Sequence, residues 1–289
     1  MSIMKEGKHC LLYAVSVSLA YICISLGNSR FLKAIKCKSR SGKIVVKVFT
    51  KSDPSVNLSK YIQRLKKEKS QLFGICNVYP FQTFVETDKA GYKIRQWIGN
   101  NLYDRISTRP FLAPIEKKWL GFQLLCALQD CHTCQVSHGD VKSENVLVTS
   151  SNWVYLTDFA SVKPSHLPLD DPSEFSLYFD TSARRTCYLA PERFYDSNSE
   201  IANLYQLILE KGPDNVNTYG KLVVTEAMDV FSAGCVLAEL FLEGTPLFTF
   251  SQLLRYREGK YDPNSMIDKI DDEMVKVCFS PFLFFLKRY

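Results

Sequence analysis

The sequence has no internal repeat and no long low-complexity tract, which excludes solenoids, propellers and linker-dominated chains. Its ten cysteines include one C-x-x-C, Cys131 to Cys134; no second pair follows, and His132 between them does not complete a zinc pattern. Their irregular spacing argues against a disulfide framework. They are expected to be reduced, mostly buried thiols of a cytosolic protein, with the C-x-x-C structural. Long apolar runs are also scarce. Lys5 and Lys8 precede Cys10–Leu26, 17 residues resembling a signal-peptide core or a short membrane anchor. Three serines dilute that run, no A-x-A site follows, and its end is needed as a strand. The anchor reading predicts carbonate-resistant membrane association. A second apolar cluster, Phe279–Phe285, is too short to span a bilayer.

What is present suits a folded chain. At 289 residues, 46% hydrophobic and 23% charged, it can bury one large core or two lobes sharing a cleft. The net charge of +6 hides an asymmetry: residues 1–70 hold fifteen Lys or Arg against three acids, and the remainder is net acidic. A basic stretch of this kind attracts nucleic acid, anionic lipid or nucleotide, or is simply a solvated surface; nucleic acid is not expected as a partner.

Strand patterns fill the first hundred residues. Ile44–Phe49 is β-branched with a lysine inside, and Pro80–Glu86 and Tyr92–Trp97 flank a turn at Asp88–Gly91. Leu58–Leu72 between them has helical spacing. Beyond residue 100 the pattern turns helical: Ile115–Cys131 is expected to be a buried amphipathic helix with Pro114 near its start, and Met228–Phe241 a second core helix. This gives an apolar segment at 1–20 with no assigned role, a small strand-rich lobe at 21–96, a helical lobe at 97–271 and an atypical tail at 272–289.

The chemistry concentrates in three ordered motifs. His138 to Asn145 reads HGDVKSEN, Asp158-Phe159-Ala160 follows Asp140 by eighteen positions, and Ala190-Pro191-Glu192 starts thirty-two beyond Asp158. This order resembles the protein kinase family, with its catalytic loop, metal-binding Asp-Phe-Gly and Ala-Pro-Glu. The resemblance implies an α+β, two-lobed kinase fold with ATP and Mg2+ as cofactors. Phosphoryl transfer needs one carboxylate to orient and deprotonate the attacking hydroxyl, and others to hold magnesium on the phosphates. Asp140 is the expected base, Lys142 neutralises the transferred group, and Asn145 and Asp158 are the expected metal ligands. Lys47, in Val45-Val46-Lys47-Val48, matches the strand lysine that meets the α- and β-phosphates. Its usual helical partner is a glutamate, and Glu68 is the only acid in Leu58–Leu72.

Leu26, Gly27, Asn28, Ser29, Arg30 and Ala34 occupy the place of the glycine-rich nucleotide loop. Only its first glycine remains; Ser29 and Leu32 replace the others, so the cradle is looser, with Arg30 or Lys33 to compensate by charge. Gly139 replaces the arginine that grips a phosphorylated activation segment, and Ala160 replaces the glycine of the metal motif. Trp97–Asn100 falls at the adenine-carrying hinge.

With NLYDRISTR after that hinge, RRTCYLAPERF, AMDVFSAGCVLAELF and the insert Tyr195–Thr225, the chain is similar to the regulatory protein kinase subunit (subunit 4) of class III phosphatidylinositol 3-kinase, the vacuolar-protein-sorting kinase. That resemblance runs from about Leu26 to Asp271 and implies that Asp229 braces the catalytic loop. It also implies a serine/threonine kinase acting in autophagy and endosomal sorting. Its partners would be the lipid kinase's catalytic subunit, Beclin-type autophagy subunits and a protein substrate. Its location would be cytoplasmic, peripheral on late endosome or autophagosome membranes. Ser2 stands where that family has the myristoylated glycine. The family's helical repeats and propeller are not in the sequence, and the large lobe is expected to be incomplete after Asp272 and therefore prone to aggregate. A weakly active or inactive nucleotide-binding scaffold is the alternative function.

Overall fold

The computed structural model describes residues 21–28, 32–39, 42–51, 58–160, 163–180, 184–211, 222–273 and 276. The chain divides into two compact units, one of residues 1–73 and 79–99, the other of 74–78 and 100–289.

In the first unit, strands β1 (Tyr21–Asn28), β2 (Leu32–Ser39), β3 (Gly42–Thr50), β4 (Thr83–Glu86) and β5 (Ala90–Gln96) form one antiparallel sheet in the order β1-β2-β3-β5-β4. The period-2 pattern decides its faces. Cys37, Val46, Ala90 and Tyr92 are buried on one side, with Ile35, Ile44, Val48, Val85 and Ile94 packed around them. Helix α1 (Ser59–Gln71) packs against the other side: the Tyr61 ring meets Phe49 and Phe84 edge-on, each at 5.5 Å between centroids. Of the apolar run Cys10–Leu26, residues 21–26 are strand; 10–20 lie outside the described residues. No helix among the described residues is long and apolar enough to cross a membrane.

Gly91 makes the helix-to-sheet approach possible. A Cβ there would lie 2.7 Å from the Phe84 ring and 2.9 Å from Leu58 Cδ1. Gly91→Ala should therefore displace Phe84, and Tyr61 with it, at a cost of about 1–3 kcal/mol, read as a lower urea midpoint at constant slope.

The second unit is built around two helices, α3 (Pro114–Thr133) and α6 (Glu226–Phe241). The latter is apolar nearly all round, and every residue from Met228 to Leu240 except Val230 is buried. Gly121 allows the two to approach closely, since a Cβ there would reach Leu237 Cδ2 at 2.9 Å. Before, between and after these two helices in the chain come shorter pieces, and those that carry chemistry lie between them. Strands β6 (Asn100–Asn101), β7 (Val146–Val148) and β8 (Val154–Leu156) form a three-stranded sheet. Helix α2 (Leu102–Ser107) is capped by the Asn101 side chain, which accepts from Asp104 N at 2.7 Å. Strand β9 (Leu167–Pro168) pairs in parallel with β10 (Phe194–Tyr195), and helices α4 (Pro172–Tyr178), α5 (Glu200–Lys211), α7 (Phe250–Arg257) and α8 (Asn264–Ile267) complete the described part. Residues 74–78 join this unit because Leu156 N donates to Asn77 O at 2.8 Å and Asn77 Nδ2 donates to Val154 O at 2.9 Å.

The expectation of a buried amphipathic α3 needs a correction. Leu120, Leu124, Ala127, Leu128 and Cys131 face the core, but Ile115, Trp119 and Phe122 form a second, exposed apolar stripe, with the two aromatic rings stacked at 5.8 Å. The helix has more apolar residues than one face can hold.

Candidate active site

The register of β7 and β8 sets the geometry. Val146 pairs with Leu156, and one step further Thr157 N donates to Asn145 O at 3.0 Å. Asn145 and the residue before Asp158 are thereby backbone neighbours. Asp158 itself has φ of +67°, a left-handed conformation unusual for a non-glycine residue and concentrated at functional sites.

His138 ties the two motifs together from beneath. Its Nδ1 accepts from Asp140 N at 3.1 Å and its Nε2 donates to Thr157 O at 2.8 Å, a pairing that fixes the tautomer. Burial holds its basicity below the ordinary histidine range, so the ring stays neutral despite the nearby carboxylates of Asp229, Asp140 and Asp158. The Phe159 ring packs 4.4 Å from it, and Ala160 N donates to His138 O at 2.9 Å. Asp229, in the first turn of α6 and 1% exposed, accepts from His138 N at 2.6 Å, Gly139 N at 2.8 Å and His132 Nε2 at 3.2 Å. The bracing aspartate expected from the sequence does hold the loop.

Asp140 is 5% exposed, and its Oδ2 is surrounded by donors: Lys163 Nζ at 2.7 Å, Asn145 Nδ2 at 2.9 Å and Lys142 Nζ at 3.6 Å. Burial alone would raise its pKa; the ammonium groups of Lys142 and Lys163 outweigh that, and the carboxyl is held below its usual range. Asn145 Nδ2 also donates to Asp140 O at 2.8 Å, so its amide nitrogen is committed and its oxygen remains to serve as a hard ligand. Lys142 Nζ reaches Phe179 O at 3.0 Å. Lys163 was not singled out in the sequence; a lone lysine five residues past Asp158 gives no signal before its distance to Asp140 is known.

The first unit places its candidates in one row. Gly27 pairs with Ala34, Ala34 with Lys47, Lys47 with Lys93 and Lys93 with Phe84, so all lie across one sheet face. Leu26 and Asn28 belong to β1 with Gly27; Ser29 and Arg30 lie outside the described residues. Glu68 shares the buried face of α1 with Leu65 and Leu72, and it is only 9% exposed.

Past Ala160 the chain is held by Arg193, 1% exposed, which donates to Gly139 O at 2.7 Å, Ser165 O at 2.7 Å and Pro164 O at 2.9 Å. Its neighbour His166 is 5% exposed; burial, and then the Arg193 cation, lower its pKa to about 4. The unfolded chain takes up this proton near pH 6.5 and the native one only near 4, so stability should fall through that interval by about 3 kcal/mol. Urea titrations at stepped pH should show this decline, and His166→Gln should remove most of it.

A hard-oxygen pair from Asn145 and Asp158 fits magnesium, which keeps waters and phosphate oxygens for its remaining positions. Among the described residues no group of three or more His, Cys, Asp or Glu forms a metal site, so a zinc-type centre has no support there.

Comparison with known proteins agrees with this arrangement. Residues 23–205 match the protein kinase domain family model. The chain is 49% identical over 253 residues to the serine/threonine-protein kinase VPS15 of Arabidopsis thaliana, covering 87% of this chain and 16% of that protein. It is 52% identical over 257 residues to a probable serine/threonine-protein kinase vps15 of Dictyostelium discoideum, covering 87% and 12%. It is also 50% identical over 240 residues to the VPS15 kinase of Saccharomyces cerevisiae, covering 83% and 16%. The chain thus spans less than a fifth of the length of these relatives. With its helical unit built around the HGDVKSEN loop and its five-stranded unit carrying Lys47, the chain belongs to the protein kinase domain family.

Proposed function

We propose that the chain is a serine/threonine protein kinase domain that transfers the γ-phosphate of ATP to a protein hydroxyl. The observation that carries this reading is Asp140, buried, ionised and fixed by Asn145 while Asp229 holds the loop beneath it. Oδ2 of Asp140 takes every described donor; Oδ1 accepts from none of the described residues and is the oxygen that would receive the substrate hydroxyl's proton. Lys142 supplies positive charge beside it. Asn145 and Asp158 would hold Mg2+, and Lys47 with the loop residues Leu26, Gly27, Asn28, Ser29, Arg30 and Ala34 would hold ATP. Bound MgATP supplies a neutralised, electrophilic phosphoryl group.

The relatives named as VPS15 kinases support a finer reading. In it the protein is the regulatory subunit of a class III phosphatidylinositol 3-kinase complex in autophagy and endosomal or vacuolar sorting. It works with the lipid kinase's catalytic subunit and Beclin-type subunits, peripheral on late endosome or autophagosome membranes. The scaffold alternative is favoured by Ser29, Leu32 and Ala160 at positions that are glycine in active kinases. Single-turnover incubation with γ-labelled ATP and a protein acceptor separates the two. Label that requires Mg2+ and is lost in Asp158→Asn supports the kinase. Labelling that is equal in both proteins, or absent from both, overturns it.

A further inference from the structure

Kinases with an arginine before the catalytic aspartate use it to order the activation segment around a phosphate. Position 139 disfavours one, by its backbone conformation and by its tight surroundings. Gly139 has φ of +75°, and a Cβ there would sit 3.2 Å from Ala160 Cβ and 3.3 Å from Val224 Cγ2. The segment that follows Ala160 is nevertheless anchored at both ends. Arg193 holds its start to the catalytic loop through the carbonyls of Gly139, Pro164 and Ser165. Towards its end, Arg184 donates to Glu144 Oε1 at 3.1 Å and to Glu239 Oε1, and its guanidinium lies 3.5 Å over the Tyr103 ring.

We infer that this segment is set by an inverted clamp: the cation, Arg184, comes from the segment, and the anions, Glu144 and Glu239, come from the catalytic loop and the core helix. No phosphate is needed to position the segment for a protein substrate.

The chemistry of Glu239 supports this. It is fully buried, and a carboxylate in that position is tolerable only when paired and hydrogen-bonded. Its Oε2 accepts from Tyr188 OH at 2.6 Å and from the Ser143 hydroxyl, while its Oε1 takes the arginine. Ser143 and Glu144 immediately precede Asn145, so the clamp grips the loop that carries the candidate site. Two carboxylates and an aromatic face suit a planar guanidinium and not the point charge of a lysine. A phosphate added here would meet Glu144 and Glu239, so modification should loosen the segment rather than order it.

The catalytic meaning of the clamp rests on the kinase reading, but its main test needs no turnover. Hydrogen exchange of the full chain is followed in peptides covering 163–180 and 184–195. Phosphatase treatment should leave both unchanged. Arg184→Met should speed exchange at 184–195 on the order of a hundredfold while α3 stays at the parent rate. Arg184→Lys, able to meet one carboxylate only, should fall between. If Arg184→Met does not fold, the double variant Arg184→Met/Glu239→Gln, which removes both charges, should fold and still open the segment. Opening by phosphatase alone, or parent-like exchange in the folded variant, overturns the clamp. In kinetics, a raised KM for the protein acceptor at unchanged KM for MgATP supports a positioning role; an unchanged acceptor KM overturns that role.

Discussion

Asp229→Ala is expected to lower stability by about 3–5 kcal/mol and to cut phosphoryl transfer more than tenfold in whatever fraction stays folded. The carboxylate accepts from two consecutive backbone N–H groups, His138 and Gly139, and from His132, inside a nearly water-free pocket. Alanine leaves both N–H groups buried without an acceptor, and each such group costs about 1–3 kcal/mol. It also removes a negative charge from the first turn of α6, where the helix dipole favours one. Asp229→Asn separates charge from shape: its amide keeps one acceptor but turns an NH2 toward a donor, so most of the loss should persist. The loss of transfer follows from geometry, because Asp140 is two residues from His138 and takes its direction from His138 Nδ1. Urea melts give the first number, and single-turnover rates well below the melting range give the second. Full transfer in a folded Asp229→Asn protein would show that the brace does not orient the loop.

Asp229 was legible in the sequence only through the family pattern; its three donors cluster between His132 and Gly139, 90 to 97 positions away from it in the chain. The strands and helices were legible more directly, because burial periodicity is local. Ile44–Phe49 is a β-branched apolar run and lies within β3, and Pro114 marks the first turn of α3. Glu68 was present as the one acid in a basic helix, but its value depends on phase. Only the angular position shared with Leu65 and Leu72 shows that it faces inward.

The clamp was not legible, for a physical reason. Arg184, Glu144 and Glu239 are separated by 40 and 55 positions from one another in their two pairings, and each alone looks like a solvated surface charge. Burial is what turns such charges into obligate partners. The replacement of arginine by Gly139 was visible, and from it the loss of the usual phosphate grip. What took over the grip depends on tertiary contacts. The exposed stripe of Ile115, Trp119 and Phe122 is not legible for a related reason: apolar spacing shows that a face is greasy and not whether anything covers it.

Asp140→Asn should reduce transfer about 10²–10⁴-fold, the usual contribution of a positioned general base. The fold should be little changed, since the amide keeps the shape of the carboxylate and can still offer an oxygen to Asn145 and Lys163. Nucleotide affinity is the informative companion. Asp140 is not among the expected metal ligands, so a base role predicts MgATP binding that is unchanged. The ammonium groups of Lys142 and Lys163, no longer offset by the carboxylate they now approach at 3.6 and 2.7 Å, would if anything tighten it. A structural role predicts the opposite pairing, with binding and transfer falling together as the loop loosens. Quench-flow rates and calorimetric affinities measured on the same preparations distinguish these outcomes. Transfer surviving in Asp140→Asn at the parent rate would remove Asp140 from the chemistry. Parent and variant that bind MgATP equally well and transfer nothing would identify the site as a nucleotide-holding scaffold.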